Sequence, residues 1–103
     1  MKTREVQVVR IYSHEAEGGY REIFRYLHDE ARVQGVTVFR GISGFGRSGK
    51  VHSATLLDMS LDLPVVIEFF DTPDKVADVL EYLNQRVEPG HVLMWPAAMN
   101  IGE

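Results

Sequence analysis

The sequence predicts an α+β sandwich in which two helices cover one face of a four-stranded antiparallel sheet. Four segments are rich in β-branched and aromatic residues, and two others repeat apolar residues at the spacing of a helix face. Their order along the chain is β-α-β-β-α-β, which is that of the ferredoxin-like fold. In that fold the strand order across the sheet is 4-1-3-2. With 103 residues, the chain has the size of one domain, and we expect a single domain over residues 1–103.

The first half supplies a strand, a helix and a second strand. Residues 6–12, with four β-branched positions and a tyrosine, predict the first strand. Apolar residues at helical spacing predict a helix over residues 20–31. Gly35 is expected to end this helix as a left-handed C′ residue, because glycine carries no Cβ penalty there. The second strand follows at residues 36–40.

The second half repeats the strand–helix–strand order. Residues 63–70 predict the third strand. Thr72 is the expected N-cap of the second helix, with Pro73 at its first position. We expect this helix to run as far as Pro89-Gly90. The last strand covers residues 91–95 and is interrupted at Pro96, with a resumption near residues 99–101.

Composition excludes several classes of function. The chain has 11 basic and 15 acidic residues, a formal net charge of -4, and so no basic excess for binding nucleic acid. It has no cysteine, which excludes disulfides, zinc–thiolate sites and cysteine nucleophiles. No apolar run reaches the ~18 residues of a membrane span. We therefore expect a cytoplasmic globular protein.

One face of the predicted sheet has no helix to cover it. Assigning the uninterrupted apolar sets to the helices leaves a mixed apolar and charged set on the other face, where Glu68 can pair with Arg10 or Arg40 across strands. Soluble monomers seldom expose such a patch, so the face is expected to be an oligomer interface, the alternative being a solvated face with scattered apolar residues. The expected interface residues are Val8, Arg10, Tyr12, Val38, Arg40, Val66, Glu68 and Phe70.

A glycine-rich stretch over residues 41–50 is the most unusual part of the sequence. It contains the spacings of both a dinucleotide-binding motif and a P-loop, but no helix is predicted after it, and Val51 stands where a P-loop needs serine or threonine. Both of those sites are therefore excluded. Glycine amides beside Arg47 and Lys50 can still bind an anion as a backbone nest, with His52 within reach. The alternative is a glycine-rich loop that binds nothing.

The connection over residues 47–62 is long for a β-hairpin. Loops of this length in a compact domain tend to be functional or disordered. Charged residues at both ends and four apolar residues in the second half predict a protruding loop that binds a partner or senses a ligand. Residues 48–53 are expected to be its most mobile part.

Catalytic and metal-binding patterns are weak. The four histidines lack the spacings typical of metal ligands, and no histidine lies beside a plausible nucleophile with an orienting carboxylate. We predict no catalytic residue and no metal site.

Two segments carry a resemblance to a known family. Residues 35–46, GVTVFRGISGFG, followed by residues 62–68, DLPVVIE, closely resemble the PII-like proteins of the domain of unknown function 190 (DUF 190) family. The likeness covers most of the chain, from about Val6 to Ile101. More distantly, the sequence is similar to the PII nitrogen-regulatory proteins, which carry a G-F-G-R turn at the start of a long T-loop.

The resemblance implies a homotrimer whose sheets face each other, with an anionic ligand between subunits. The ligand would be a nucleotide or another phosphate-bearing metabolite, and no further cofactor is expected. It also implies a non-enzymatic regulatory protein whose 47–62 loop engages a partner such as a membrane transporter or channel. The positions that match the PII nucleotide site are Thr37, Gly44, Phe45, Gly46 and Arg47.

Departures from the PII pattern weaken the implication of ATP binding. The loop at residues 88–91 lacks the glycine- and lysine-rich phosphate turn, and no arginine precedes the final Gly-Glu. The alternative function is a small enzyme of the α+β-barrel type. In such an enzyme, usually a dimer, a pocket between paired sheets would use Tyr12, His14 or His91 for proton transfer.

Overall fold

A computed structural model of the chain describes residues 1–17, 19–46, 49–53 and 62–103. Its elements are β1 (Lys2–His14), a 3₁₀ turn (Glu15–Glu17), α1 (Gly19–Arg25) continued by a π-helical segment (Tyr26–Ala31), β2 (Gly35–Arg40), β3 (Ser43–Phe45), β4 (Val51–Ser53), β5 (Pro64–Asp71), α2 (Pro73–Asn84) and β6 (Val92–Gly102). The main sheet has the order β2-β5-β1-β6, and its paired strands are antiparallel. The predicted α+β sandwich and strand order are thereby confirmed. Among the described residues no helix is both long and apolar enough to cross a membrane.

The core lies between the two helices and one face of the sheet. Alternate residues of β1 and β5 meet the apolar stripes of α1 and α2, because side chains alternate along a strand and recur every three or four residues along a helix. Phe69 and Leu27 are completely buried there. The buried cluster consists of Val9, Ile11, Ile23, Leu27, Ile67, Phe69, Val76, Val79 and Leu83.

The start of α2 is capped as the sequence predicts. The Thr72 hydroxyl accepts a hydrogen bond from the Lys75 amide over 3.4 Å, and Pro73 occupies the first turn. The buried Asp71 carboxylate accepts from the amides of Thr72 at 2.6 Å and Gln34 at 3.0 Å. Asp71 thus joins the start of α2 to the start of β2.

Both helices end differently from the sequence prediction. Arg32, with φ 53°, and not Gly35, takes the left-handed position after α1, and Lys75 Nζ donates to the Ala31 carbonyl over 2.8 Å. Gly35 instead opens β2, where a Cβ would come within 3.1 Å of the Phe70 ring. The second helix ends at Asn84 rather than at Pro89-Gly90.

The register of β2 corrects the predicted face of two residues. Val38 lies opposite Ile67, and Arg40 lies opposite Val65, so both belong to the helix-covered face. Thr37 and Phe39 take their places on the uncovered face, opposite Glu68 and Val66. The sequence prediction was wrong because β2 has apolar residues on both of its faces. Only its pairing with β5 decides which face packs against the helices.

Strand β6 runs without interruption through Pro96, contrary to the predicted break. The Tyr12 amide donates to the His91 carbonyl directly opposite over 2.9 Å. Hydrogen-bonded and non-bonded residue pairs alternate along an antiparallel pair of strands. Trp95 and Val8 therefore form a hydrogen-bonded pair, and the nitrogen of the next residue, Pro96, points away from β1. Proline therefore removes no hydrogen bond from the sheet, since β6 is an edge strand.

Candidate functional site

The connection between β2 and β5 contains a short hairpin of β3 and β4. Phe45 lies opposite Val51, and the Gly49 amide donates to the Gly46 carbonyl over 3.0 Å. Gly49 has φ 77°, a conformation that favours glycine. The sequence analysis treated this region as loop, because three-residue strands in a glycine-rich stretch leave no readable alternation.

The root of this hairpin packs against the start of β5. The Gly41 amide donates to the Pro64 carbonyl over 2.8 Å. A Cβ on Gly44 would lie 3.1 Å from Pro64 Cγ, which is tighter than ordinary contact. The Gly44 position thus favours glycine because of this close approach and not because of a special backbone angle.

Both ends of the β2–β5 connection are held by the last residue of β1 and the residues that follow it. Arg40, where the connection begins, pairs with Glu15. Asp62, where the connection ends, places its two carboxylate oxygens 2.9 and 3.1 Å from His14 Nδ1 and accepts from the Ala16 amide over 2.7 Å. We call His14, Glu15 and Ala16 the loop anchor. The Arg40 guanidinium lowers the pKa of Glu15, mainly by its hydrogen bond.

A cleft of about 230 Å³ opens beside the loop anchor. It lies between the end of β1, the start of α1 and the segment that follows α2. Its lining residues are Ile11, Tyr12, Ser13, Gly19, Ile23, Arg86, Val87, Glu88 and His91. Pockets for drug-sized ligands have volumes of about 300–1,000 Å³, so the smaller cleft of one copy admits a small anion or part of a nucleotide.

Arg86 lines this cleft, and its guanidinium stacks on an aromatic ring. Its Cζ lies 3.9 Å from the centroid of the Tyr82 ring. Tyr82 stacks in turn on Tyr26, with ring centroids 3.5 Å apart and an angle of 2° between the planes. The sequence analysis missed Arg86, although an arginine four residues after a helical tyrosine is a readable signal for this contact.

His91 fixes the other side of the cleft. Its Nδ1 lies 3.3 Å from the Tyr12 carbonyl oxygen, and its own carbonyl accepts from the Tyr12 amide. His91 therefore ties the segment after α2 to the end of β1.

The sheet face opposite the helices, here called the open face, carries one central ion pair. Arg10 and Glu68 lie opposite each other on β1 and β5, with Nε and Oε1 2.6 Å apart. The Arg10 guanidinium also lies 5.5 Å from the centroid of the Trp95 ring. The hydrogen bond with Glu68 raises the pKa of Arg10. Of the two partners that the sequence allowed for Glu68, the structure therefore selects Arg10, since Arg40 is on the other face.

The rest of the open face is largely apolar and uncovered. Phe39 is 47% exposed and Leu93 is 51% exposed, and Tyr12 and Trp95 are also exposed. The sequence analysis placed Tyr12 on this face, but missed Phe39, Leu93 and Trp95. It assigned faces only on the first three predicted strands and left the last strand out.

The predicted ligand residues lie on two elements. Thr37 is in the main sheet, opposite Glu68. Gly44 and Phe45 are on β3, and the backbone of His52 lies opposite Gly44 on β4. The Phe45 side chain is 74% exposed. Gly46 and Lys50 flank the hairpin strands, whereas Arg47 lies outside the described residues.

Comparison with known protein families gives a match over most of the chain. The DUF190 model, whose description is "Uncharacterized ACR", matches residues 6–99. The chain belongs to the DUF190 family. A relative, a UPF0166 protein of Aquifex aeolicus, is 31% identical over 85 residues, which are 79% of this chain and 81% of the relative.

Solved structures with a similar fold include PII-like proteins. CPII from Thiomonas intermedia, determined with ADP and bicarbonate bound, matches this DUF190 member with a TM-score of 0.64 at 20% identity, covering 99% of this chain and 93% of CPII. A putative PII-like signaling protein from Thermus thermophilus matches with a TM-score of 0.64 at 11% identity, covering 96% of this chain and 91% of that protein. This DUF190 member thus has a PII-like fold, as its sequence predicts.

Proposed function

We propose that this protein is a non-enzymatic PII-like regulator that assembles as a homotrimer. In this proposal a small anionic ligand binds between subunits, and the 47–62 segment engages a partner protein such as a membrane transporter or channel. The observation that carries the proposal is the adjacency of the cleft to the loop anchor. Ser13 lines the cleft, and His14 and Glu15, the next two residues, hold the two ends of the connection.

The hydrogen-bond donors at the cleft support an anionic ligand, and Glu88 is the one acidic residue among the described residues of its lining. Arg86 is permanently protonated, and its planar fork suits phosphate or carboxylate. His91 and the Ser13 hydroxyl add groups able to donate hydrogen bonds at the same cleft. The solved CPII structure holds ADP and bicarbonate, two anionic ligands of the class proposed here. Because the cleft of one copy is smaller than a whole nucleotide requires, we propose that a second copy completes the site.

The ligand acts on the segment only if it prefers one of two arrangements of the loop anchor. Ligand binding shifts a conformational equilibrium by its difference in affinity for the two states. Movement of Ser13 toward a bound anion displaces the backbone that carries His14 and Glu15. The contacts of His14 with Asp62 and of Glu15 with Arg40 then transmit this displacement to both ends of the connection.

The open face supports the assembly part of the proposal. Four large apolar or aromatic side chains are exposed together on this face: Tyr12, Phe39, Leu93 and Trp95. Exposed apolar patches of this kind often mark interaction surfaces. Burying it between copies also removes the Arg10–Glu68 pair from water as a pair that is already formed, which avoids an uncompensated charge.

Two measurements test the proposal. Light scattering at micromolar concentration should give a trimeric mass; a monomeric mass would contradict it, and a dimeric mass would favour the enzyme alternative. Thermal unfolding in the presence of ADP, ATP, inorganic phosphate or bicarbonate should show a rise in melting temperature with at least one anion, because a ligand of the native state adds stability by mass action. A trimer whose melting temperature responds to none of them would overturn the ligand part alone.

A further inference from the structure

The segment after α2 contributes two oppositely charged residues to the lining of one cleft. Arg86 and Glu88 are two positions apart in the chain, and both line the cleft beside the loop anchor. Of the described lining residues, Glu88 is the only acidic one. A carboxylate repels an anion unless that anion offers it a hydrogen, so Glu88 limits which anions the cleft can accept.

Backbone hydrogen bonds hold this segment in a defined arrangement. The amides of Arg86 and Val87 donate to the Leu83 carbonyl over 2.9 and 2.8 Å. The His91 amide donates to the Glu88 carbonyl over 3.3 Å, so residues 88–91 form a turn. The backbone that carries Arg86 and Glu88 is therefore folded before any ligand arrives.

The Glu88 carboxylate is available to a ligand. It is exposed, and among the described residues it forms no ion pair and no side-chain hydrogen bond. The guanidinium of Arg86 stacks on the Tyr82 ring and does not pair with this carboxylate. Carboxylates elsewhere in the described part of the chain are paired with arginine or histidine, namely Glu15, Glu22, Asp62 and Glu68.

His91 adds a second acceptor when its ring is neutral. Its Nδ1 lies 3.3 Å from the Tyr12 carbonyl oxygen, and because a carbonyl only accepts, Nδ1 carries the hydrogen of this contact. The other ring nitrogen, Nε2, is then an acceptor and becomes a donor only on protonation. The cleft thus combines the permanent cation of Arg86 with two groups that accept a hydrogen.

We propose that the cleft selects oxyanions that retain a hydroxyl hydrogen, and that Glu88 is the residue that determines this preference. Arg86 binds the charged oxygens, and the hydroxyl donates its hydrogen to the Glu88 carboxylate. An oxyanion of the same shape without that hydrogen brings only lone pairs to the carboxylate and is repelled. A site that hydrogen-bonds a ligand hydroxyl rejects the analogue that lacks it. This inference rests on the anion site proposed above.

Two pairs of anions with matched shape and charge test the preference. Bicarbonate and nitrate are planar and singly charged, whereas hydrogen phosphate and sulfate are tetrahedral and doubly charged. Only the first anion of each pair carries a hydroxyl hydrogen. Calorimetric titration of the assembled wild type, in mildly alkaline buffer at constant ionic strength, should give at least about tenfold tighter binding of the first anion in each pair.

The variant Glu88→Gln tests which residue causes the preference. A glutamine amide keeps the size of the side chain, removes the charge and adds a hydrogen-bond donor. Nitrate and sulfate should therefore bind at least about fivefold more tightly than to the wild type, and the preference within each pair should fall below about threefold. Glu81→Gln makes the same change of net charge at an exposed position of α2 and should leave both preferences as they are. An unchanged preference in Glu88→Gln would overturn the role of Glu88.

The outcomes separate this inference from the proposed function. If neither ADP nor any of the four oxyanions binds, the anion site and the preference both fail. If the oxyanions bind with equal affinity within each pair, the anion site stands and only the preference is wrong. Binding of ADP without binding of any oxyanion would also leave the site and overturn the preference.

Discussion

Arg10 and Glu68 face each other at the centre of the open face, joined by a 2.6 Å contact between Nε and Oε1, while most of the surrounding surface is apolar. In a monomer both side chains remain partly exposed, at 42% and 27%. An exposed pair of this kind contributes little to stability, because water solvates each charge almost as well. The contribution of the pair to stability becomes larger if the face is covered, because removing one partner then leaves the other charge buried without a partner.

The first prediction concerns the coupling between these two residues. A double-mutant cycle with Arg10→Met and Glu68→Gln should give a small coupling in dilute, dissociated protein and a larger one in the assembly. The measurement is denaturant unfolding at a low and a high protein concentration. The exposed pair of Arg25 with Glu22 is the control, and its coupling should not depend on concentration. A concentration-independent coupling for Arg10 and Glu68 would contradict burial of this face.

The second prediction concerns self-association. Val66→Asp places an unpaired charge next to Phe39 on the open face and should weaken association by several kcal/mol. Light scattering should then give a monomeric mass at concentrations where the wild type is assembled. Ala77→Asp, the same kind of change at an exposed position of α2, should leave the mass unchanged. An unchanged mass for Val66→Asp would show that this face is not the interface.

The third prediction concerns pH. The hydrogen bond from Arg40 lowers the pKa of Glu15 below its ordinary value of 4.5. A depressed carboxyl pKa adds stability that is complete above the unfolded-state pKa and is lost as the pH falls through the folded-state pKa. Arg40→Gln should therefore reduce stability at neutral pH and flatten the loss of stability below about pH 4.5.

Titration of the side-chain carboxyl groups by NMR measures this directly. In Arg40→Gln the pKa of Glu15 should rise toward 4.5, while that of Glu22, which Arg25 lowers, should not change. Arg25→Gln should give the reverse pattern. A Glu15 pKa that stays low without Arg40 would mean that another group holds it.

The fourth prediction concerns cleavage of the β2–β5 connection. Its glycine and short polar residues are typical of segments that proteases cut. Limited proteolysis with trypsin should therefore cut first after Arg47 or Lys50. Asp62→Asn weakens the contact with His14 and should increase the rate of this cleavage several-fold. Asp78→Asn, at an exposed position of α2, should leave the rate unchanged. First cleavage within α1 or α2 would contradict the prediction.

The fifth prediction compares two arginines as ligands of the anion. Charge-assisted hydrogen bonds contribute about 1.5–3 kcal/mol, so the loss of one should weaken binding about tenfold to a hundredfold. Calorimetric titration with ADP and with bicarbonate should show this loss for Arg86→Ala and for Arg47→Ala. Arg25→Ala, on the outer surface of α1, is the control. An unchanged affinity in either variant removes that arginine from the site.

The fold could be predicted from the sequence because its strongest signals are local. Thr72 and Pro73 mark a helix start by capping chemistry alone, and the apolar alternation of β5 reveals a strand without knowledge of its neighbours. The face of Val38 could not be predicted in this way, because it depends on the register with Ile67, a residue 29 positions further along the chain.

The candidate site was less accessible to sequence reasoning for the same reason. The cleft joins Ser13 to Arg86 and His91, and the loop anchor joins His14 to Asp62, all across long separations in the chain. The glycine-rich stretch predicted a candidate anion site in the connection between β2 and β5. It carries no information on the segment that follows α2, which lines the cleft. The interruption predicted at Pro96 was wrong for another reason. The effect of a proline on a strand depends on whether its nitrogen faces a neighbouring strand or the outer edge.

That orientation of Pro96 has a consequence for the edge of the sheet. Strand β6 has an outer edge of eleven residues, long enough to template the addition of further strands from other chains. The missing amide lies midway along this edge, so an added strand would lose a hydrogen bond at its centre and meet the pyrrolidine ring there. Unlimited edge-to-edge polymerisation is thereby disfavoured, which is compatible with the proposed association through the faces of the sheet.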